Sequence, residues 1–133
     1  MWTVLIVDDY PVARDIFREL FNSFPQLFKV IGEASTGEEG VKLATAKKPD
    51  FIIMDITMPL MDGLTATKII KKELGLHSVV LTYSGYPKAS LKEMAKRAGA
   101  RDHFTKPLNL LDLKEKMINE YGQELGRTLK EAI

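Results

Sequence analysis

Three aspartates stand at the ends of two short apolar segments of this 133-residue chain. Asp8 and Asp9 follow the segment 4–7, and Asp55 follows the segment 51–54. If these segments form neighbouring parallel strands, their carboxyl ends meet at one edge of the sheet, and the three carboxylates converge there. Carboxylates so close together repel one another unless one takes up a proton or a hard divalent cation joins them. Because all the ligands are oxygens, we predict a Mg²⁺ site.

A simpler interpretation of Asp8 and Asp9 needs no ligand. Aspartate is a frequent N-cap, and Pro11 opens an apolar helical pattern directly afterwards. In this interpretation, Asp8 or Asp9 is simply the cap of that helix. The predicted convergence with Asp55 is what favours the metal site.

Two further polar groups follow the fourth and fifth apolar segments. Ser84 and Gly85 end the fourth, and Lys106 and Pro107 come after the fifth. A hydroxyl and an ammonium group therefore reach the same predicted edge. Phosphoryl transfer needs an attacking oxygen and positive charge around the oxygens of the transferred group. Together with the carboxylates and a metal ion, these residues indicate phosphorylation of an aspartate.

Five apolar segments alternate with helix-periodic segments, which predicts an α/β fold. The predicted strands are Thr3–Val7, Phe28–Glu33, Phe51–Met54, Ser78–Tyr83 and Arg101–Phe104. Nearly continuous apolar strands are typical of a parallel sheet that is buried on both faces. We predict a doubly wound five-stranded parallel sheet in the order 2-1-3-4-5 with five helices. Strands 1 and 3 then flank the switch point where such sheets bind ligands.

The helical segments carry start and stop signals. The predicted helices are Pro11 to just before Pro25, Gly37–Lys47, Leu64–Leu74, Lys88–Ala98, and Leu108 or Asn109 to nearly Ile133. The first is expected to turn one face inward, made of Val12, Ile16, Phe17, Leu20, Phe21 and Phe24. Thr36 or Ser35 is expected to cap the second helix, and Asp62 the third. Gly99 is expected to end the fourth in a left-handed conformation.

Composition excludes several classes of protein. The chain has no cysteine, so disulfide frameworks and thiolate metal sites are excluded. Its 19 basic and 18 acidic residues give a net charge of +1, which provides no bulk attraction to nucleic acid or to a membrane. No apolar run is long enough to span a bilayer or resembles a signal peptide. We expect one cytoplasmic domain.

Four motifs in this order resemble the receiver domain of two-component response regulators, the CheY-like superfamily. They are Val4 to Asp9, Asp55 to Gly63, Ser84 to Tyr86, and Ala98 to Ala100 followed by Lys106 and Pro107. The resemblance covers residues 3 to about 120, and the ordered set is far more specific than any one motif.

The resemblance implies a role for each residue at the carboxyl edge. Asp55 becomes the phosphoacceptor and, with Asp9, a direct Mg²⁺ ligand. Asp8 acts mainly through metal-bound water. Thr57 contributes its backbone carbonyl, and its position two residues beyond Asp55 is expected to influence hydrolysis of the aspartyl phosphate.

The same resemblance assigns the groups around the phosphoryl group. Ser84 is expected to donate a hydrogen bond to it, Gly85 to leave it room, and Lys106 to pair with its charge. The spacing of 22 residues before Lys106 favours Ser84 for the hydroxyl, with Thr82 as the alternative. The Lys106–Pro107 peptide bond is expected to be cis.

Three residues are candidates for switching or partner contact. His103 stands where receivers usually carry Tyr or Phe as a switch residue, and otherwise it is a half-exposed histidine of an edge strand. Ala13 and Ile16 lie near the predicted rim of the site. There they either meet a helix of a kinase or phosphotransfer protein or belong partly to the core.

Charge is uneven along the chain. Residues 87–106 carry six basic groups against two acidic ones, a local charge of +4: Lys88, Lys92, Lys96, Arg97, Arg101 and Lys106 against Glu93 and Asp102. Receivers typically use this face for output. It either meets an acidic partner or consists of solvated helix lysines.

The last twelve residues extend beyond the usual receiver. We divide the chain into a receiver, residues 1–121, and an extension of the last helix, residues 122–133. A seven-residue repeat hints at helix pairing: Leu111, Ile118, Leu125 and Ala132. Because Gly122 and Gly126 each disfavour helix, we expect a monomer, with dimerisation through the last helix as the alternative.

The expected function is that of a stand-alone response regulator. A histidine kinase or histidine phosphotransfer protein supplies the phosphoryl group, and the chain signals by binding a downstream protein or by passing the group on. Such a chain modifies only itself and is not an enzyme. The alternatives are a phosphohydrolase with an aspartate nucleophile and the receiver part of a DNA-binding regulator. The second is disfavoured because no helix-turn-helix follows residue 120.

Overall fold

Five parallel strands form the centre of the protein, a computed structural model that describes residues 1–126. The strands are β1 Trp2–Val7, β2 Phe28–Ala34, β3 Phe51–Asp55, β4 Val79–Ser84 and β5 Asp102–Thr105. Their order in the sheet is β2-β1-β3-β4-β5, and every neighbouring pair is parallel. Each predicted strand is confirmed to within one residue at either end.

Five helices cover the two faces of this sheet. They are α1 Pro11–Asn22, α2 Gly37–Lys47, α3 Gly63–Lys68, α4 Ala89–Ala98 and α5 Leu110–Lys116. The backbone of α3 continues as a π-helical segment, Ile69–Glu73, and that of α5 continues through the π-helical segment Met117–Tyr121 into a last α-turn, Gly122–Glu124. The fold class predicted from the sequence is confirmed.

The predicted helix ends are largely correct. The side chain of Thr36 accepts a hydrogen bond from the backbone N–H of Glu39, and that of Asp62 accepts one from Thr65. Gly99 ends α4 with a φ of +111°, a left-handed conformation that glycine adopts without strain.

Two expectations about the helices are wrong. Val12 and Ile16 do not face inward on α1, where Phe17, Leu20 and Phe21 form the buried face and leave these two side chains 49% and 46% exposed. The last helix does not continue toward Ile133 within the described residues, because it ends at Glu124. Its last turn closes with the hydrogen bond from Gly126 N–H to the Gln123 carbonyl, and Gly126 has a φ of +80°.

Hydrophobic cores lie on both faces of the sheet. Beneath α1 and α5 the strands pack against a large aromatic cluster that includes Trp2, Phe17, Phe21, Phe51, Tyr83 and Tyr121. A second cluster packs beneath α2 and α3, and a small third one contains Ala95 of α4. Among residues 1–126 no helix is both long and apolar enough to cross a membrane. The polar residues at the ends of β1, β3 and β4 are thus held by strands buried on both sides.

Candidate active site at the carboxyl edge of the sheet

The structure brings the three aspartates together. Each of Asp8, Asp9 and Asp55 places a carboxylate oxygen so that the three oxygens lie within 4.8 Å of one another. Asp8 and Asp55 are buried, whereas Asp9 is exposed. Hard cations with partly retained water shells bind such oxygen donors, so the cluster fits Mg²⁺ by its donor chemistry.

Asp55 is fixed by the turn that follows β3. The backbone N–H of Thr57 donates a hydrogen bond to Asp55 Oδ1 at 3.2 Å. The start of α3 folds back onto the same turn, where the N–H of Gly63 donates to the carbonyl of Ile56. A Cβ atom at Gly63 would lie 2.1 Å from the Asp55 carbonyl oxygen, so only glycine permits this approach.

Asp55 is surrounded by an unfavourable field for a carboxylate. Burial, and next the negative charge of Asp8, raise the pKa of Asp55 to about 7. The positive charge of Lys106 and the hydrogen bond from Thr57 oppose this shift without cancelling it. A cation or an electrophile at this position would therefore relieve the repulsion.

Both oxygens of Asp8 accept hydrogen bonds. The backbone N–H of Tyr10 donates to Oδ1 at 2.8 Å, and the hydroxyl of Tyr83 donates to Oδ2. Arg14 also donates to the backbone carbonyl of Asp8 at 2.6 Å. The N-cap of α1 is Tyr10, and in the described part of the chain no side chain forms a capping hydrogen bond to this helix. The interpretation of Asp8 or Asp9 as simple helix caps is therefore wrong.

Tyr83 also belongs to this site, although its sequence context did not predict it. This residue pairs with Asp55 in the register between β3 and β4. Its phenol is buried, and burial together with the hydrogen bond to Asp8 raises its pKa above the ordinary value. The only signal in the sequence was a tyrosine directly before Ser84, and the strand register was needed to show that it meets Asp8.

A cavity of about 320 Å³ opens over the carboxylates. Its lining consists of Asp8, Asp9, Tyr10, Asp55, Thr57, Gly85, Tyr86 and Lys106. The peptide bond between Lys106 and Pro107 is cis, as the resemblance implied. Lys106 Nζ lies 5.0 Å from the centre of the Tyr83 ring, and within residues 1–126 this ammonium group forms no ion pair. The cavity therefore combines anionic ligands with an available cation.

The two candidate hydroxyls of β4 have different surroundings. Thr82 Oγ1 lies 2.8 Å from His103 Nδ1, so it is engaged with β5. Ser84 Oγ accepts a hydrogen bond from the backbone N–H of Tyr86 at 3.1 Å. Ser84 is fully buried and does not itself line the cavity, whereas Gly85 does. A Cβ atom at Gly85 would have no neighbour within 4 Å among the described residues, so they leave the space there open.

His103 is buried rather than half-exposed. Only 7% of this residue is accessible because α4 packs against β5, so the expectation of a half-exposed edge histidine is wrong. Burial lowers the pKa of His103, although the neighbouring Asp102 opposes the shift. Its Nε2 has no hydrogen-bond partner in the described part of the chain. Its proposed part in switching or partner binding stays a prediction.

Ala13 and Ile16 lie at the rim of the site. They line a second cavity of about 600 Å³ together with Tyr10, Phe17, Tyr83, Lys106, Pro107, Leu108 and Leu110. Ile16 is 46% exposed, whereas Ala13 is half-buried. This apolar groove shares Tyr10 and Lys106 with the lining of the carboxylate cavity, so the two openings adjoin.

The basic stretch 87–106 is partly neutralised by its neighbours. Lys92 lies 3.8 Å from Asp102, and Arg97 lies 3.3 Å from Glu93. Arg101 pairs with Glu124 at 2.6 Å, so the end of the last helix supplies one of the counter-charges. Glu93 and Asp102 are already counted in the local charge of +4, so only Glu124 lowers it further, from +4 to +3.

This chain is similar to known proteins in sequence and in fold. Residues 4–118 match the response regulator receiver domain. The chain is 37% identical to a protein-glutamate methylesterase/protein-glutamine glutaminase of Methanococcoides burtonii, over 90% of this chain and 34% of the relative. It is 36% identical to the transcriptional regulatory protein PdtaR of Mycobacterium tuberculosis, over 83% of this chain and 52% of the relative.

A solved structure with the same fold is the CheX–CheY–BeF3–Mg²⁺ complex from Borrelia burgdorferi. The matched chain has a TM-score of 0.80 and 29% identity, with 88% of this chain and 87% of the other covered. The chain spans about a third to a half of the length of the curated relatives it matches. With the family match over residues 4–118, these similarities show that the chain belongs to the response regulator receiver domain family.

Proposed function

We propose that this receiver domain accepts a phosphoryl group on Asp55 in a Mg²⁺-dependent reaction. The observation that carries the proposal is the convergence of Asp8, Asp9 and Asp55 beneath a cavity that also contains Lys106. In such a site a carboxylate nucleophile, a place for a divalent cation and an ammonium group meet around one small space.

The proposed donor is a phosphohistidine of a histidine kinase or histidine phosphotransfer protein. An oxygen of Asp55 attacks the phosphorus, the bond between phosphorus and the donor nitrogen breaks, and the donor imidazole leaves. The product is an aspartyl phosphate. Lys106 would pair with the charge of the transferred group, and Ser84 would donate a hydrogen bond to it. Thr57, which lines the cavity, would influence the access of hydrolytic water.

The metal assignment within this site is part of the proposal. Asp9 and Asp55 would bind Mg²⁺ directly, Asp8 would act mainly through bound water, and the Thr57 carbonyl would complete the protein ligands. When bound, Mg²⁺ supplies positive charge to the oxygens of the phosphoryl group. Asp9 is the exposed member of the cluster, and its side chain faces the open cavity.

The apolar groove beside the site is the proposed docking place of the donor. Ala13 and Ile16 present apolar surface there, next to the cavity that holds the phosphoacceptor. A helix of the donor lying in the groove would bring its phosphohistidine to Asp55, which fits helix-in-groove recognition. The downstream partner would respond to the conformational change that follows, or receive the group in onward relay.

The experiment that tests the function is phosphate transfer from phosphorylated kinases and histidine phosphotransfer proteins. We expect one acid-stable, base-labile phosphoryl group per wild-type chain in the presence of Mg²⁺, and none after EDTA or in Asp55→Asn. Asp62→Asn is the matched control, because Asp62 is an exposed aspartate of the same loop and asparagine is an equally good N-cap. Labelling of Asp55→Asn at the wild-type level would refute the assignment.

One alternative stays open because the curated relatives are longer than this chain. The receiver could be part of a larger regulator, including one that binds DNA. The family match favours a receiver over the phosphohydrolase alternative, and we propose self-phosphorylation and self-dephosphorylation rather than turnover of a separate substrate.

A monomer in the cytoplasm is the proposed form of the chain. Of the seven-residue repeat, Leu111 is exposed, while Ile118 and Leu125 pack into the chain's own core. Ala132 and the rest of the extension after residue 126 lie outside the described residues.

The boundary at residue 121 stays a proposal too. Gly122 packs against Trp2 so closely that a Cβ atom there would lie 2.5 Å from its ring.

A further inference from the structure

We propose that Tyr83 is a positioning residue of this site, whose hydroxyl holds the Asp8 carboxylate in the orientation that binds Mg²⁺. This inference deepens the proposed function and depends on its metal site. It assigns a role to a side chain outside the set of ligands.

The hydrogen bonds of Asp8 define what Tyr83 contributes. Oδ1 of Asp8 accepts the N–H of Tyr10, which belongs to the main chain and is retained in any side-chain variant. Oδ2 accepts only the Tyr83 hydroxyl among the hydrogen bonds found in residues 1–126. The phenol of Tyr83 is buried, so water does not readily replace this donor. Without the hydroxyl, Oδ2 would lose its donor and the Tyr10 N–H alone would hold the carboxylate, so its orientation would be less closely fixed.

Tyr83 is itself held firmly in place. It is 2% exposed, and its ring lies 5.2 Å from the ring of Phe17 in α1. Its backbone pairs with that of Asp55 across the sheet. The same ring lies 5.0 Å below the ammonium group of Lys106. The hydroxyl is therefore a fixed donor to Asp8, and the Tyr83 ring also contacts Lys106, the residue that is proposed to pair with the phosphoryl charge.

A fixed donor behind a ligand favours metal binding. Partners that hydrogen-bond to metal ligands orient them, and losing such a partner commonly weakens metal affinity 10- to 100-fold. A neutral phenol also places the positive end of a dipole beside three crowded carboxylates, which reduces their repulsion without occupying the cavity. Because Asp8 is proposed to act mainly through bound water, we expect an effect at the lower end of that range.

The test is Tyr83→Phe, which removes the hydroxyl and keeps the ring. We expect the dissociation constant for Mg²⁺, measured by calorimetry, to rise roughly tenfold. Electron paramagnetic resonance of Mn²⁺ should give the same ratio. Tyr121→Phe is the matched control, because Tyr121 is equally buried and its hydroxyl donates to Asp102 at 2.6 Å, away from the cluster. It should leave the affinity unchanged.

Combining Tyr83→Phe with Asp8→Asn isolates the interaction. If Tyr83 acts through Asp8, removing its hydroxyl should change Mg²⁺ affinity much less in the Asp8→Asn background. A second measurement needs no variant: in wild-type protein with ¹³Cζ-labelled tyrosine, the Tyr83 signal should shift with the same Mg²⁺ midpoint as binding, and the Tyr121 signal should not.

The outcomes separate this inference from the proposed function. A wild-type chain that binds neither Mg²⁺ nor Mn²⁺ would refute the metal site itself. Wild-type binding together with equal or tighter binding by Tyr83→Phe would overturn only the role of Tyr83. If the variant does not fold, an unmoved Tyr83 signal in the labelled wild-type protein would overturn it instead.

Discussion

The two ends of β3 carry the same type of side chain in opposite surroundings. Asp50 precedes the strand, and its Oδ2 accepts hydrogen bonds from the backbone N–H and hydroxyl of Thr3 at 2.9 and 3.3 Å. His77 lies 3.8 Å from its other oxygen. Asp55 ends the strand with one N–H donor among residues 1–126, that of Thr57, and shares its space with Asp8 and Asp9. Both aspartates are buried, so burial alone does not distinguish them.

The difference lies in what surrounds each buried charge. A buried carboxylate that is matched with donors contributes to stability, whereas one packed among like charges costs free energy that a ligand can recover. Such mismatched groups concentrate at functional sites. The amino edge of the sheet therefore holds the fold together, and the carboxyl edge is the strained end where chemistry is expected.

The largest expected effect is on the free energy of unfolding, which two isosteric variants should change in opposite directions. At pH 8 without divalent cations, Asp50→Asn should lower the free energy of unfolding by about 1–3 kcal/mol because the hydrogen bonds from Thr3 lose their charged acceptor. Asp55→Asn should raise it by roughly 2 kcal/mol because a crowded charge disappears. Urea denaturation followed by the fluorescence of Trp2, the single and fully buried tryptophan, measures both.

The pH dependence of the free energy of unfolding tests why Asp55→Asn should stabilise the protein. The pKa of Asp55 is raised to about 7, so between about pH 4 and 7 the native state holds a proton that the unfolded state has lost. The wild-type protein therefore loses stability as pH rises through this window, and the loss is complete above pH 7. Asp55→Asn should therefore raise the free energy of unfolding less at pH 5 than at pH 8. A gain that is equal at both values would mean that the charge of Asp55 is not its cause.

The next effect is stabilisation by Mg²⁺, which should act on the carboxyl edge alone. An ion that binds only the native state at one hundred times its dissociation constant adds about 2.7 kcal/mol to the free energy of unfolding. We expect Asp50→Asn to keep this increment and Asp9→Asn to lose most of it, as thermal melts with and without Mg²⁺ would show. Equal increments in the wild-type protein and Asp9→Asn would place the ion elsewhere.

Much of this contrast could be predicted from the sequence. Short apolar strands alternating with helices specify a parallel sheet, and a parallel sheet brings Asp8, Asp9 and Asp55 to one edge. That inference needs only the direction and order of strands. The caps Thr36 and Asp62 could also be predicted from the sequence, because a cap depends on neighbours within one helical turn.

The features that the sequence did not reveal depend on contacts between distant segments. Tyr83 meets Asp8 only because of the register between β3 and β4. His103 is buried because α4 covers a strand that the pattern placed at the edge of the sheet. Ile16 belongs to an apolar pattern on α1, yet it lines a groove and is 46% exposed. Periodicity identifies an apolar face but not what covers each part of it.

The smallest expected effect concerns two buried serines that bracket β4 as the two aspartates bracket β3. Ser84→Ala should slow phosphorylation of Asp55 roughly tenfold, equivalent to about 1.4 kcal/mol of transition-state stabilisation. Ser78 is the matched control, because its hydroxyl donates to the Pro49 carbonyl at 2.5 Å at the opposite edge. Ser78→Ala should cost about 1 kcal/mol of stability and leave the rate of labelling unchanged.

Thr82→Ala completes this comparison, because it tests the alternative hydroxyl on the same strand. Thr82 Oγ1 already contacts His103, so its removal should change labelling less than removal of the Ser84 hydroxyl. If Thr82→Ala slows labelling more than Ser84→Ala does, the hydroxyl assignment must move to Thr82. If Ser78→Ala slows labelling as much as Ser84→Ala, the two edges are not functionally separate. The difference between Asp50 and Asp55 would then reflect local packing rather than a division of the sheet into a structural and a reactive edge.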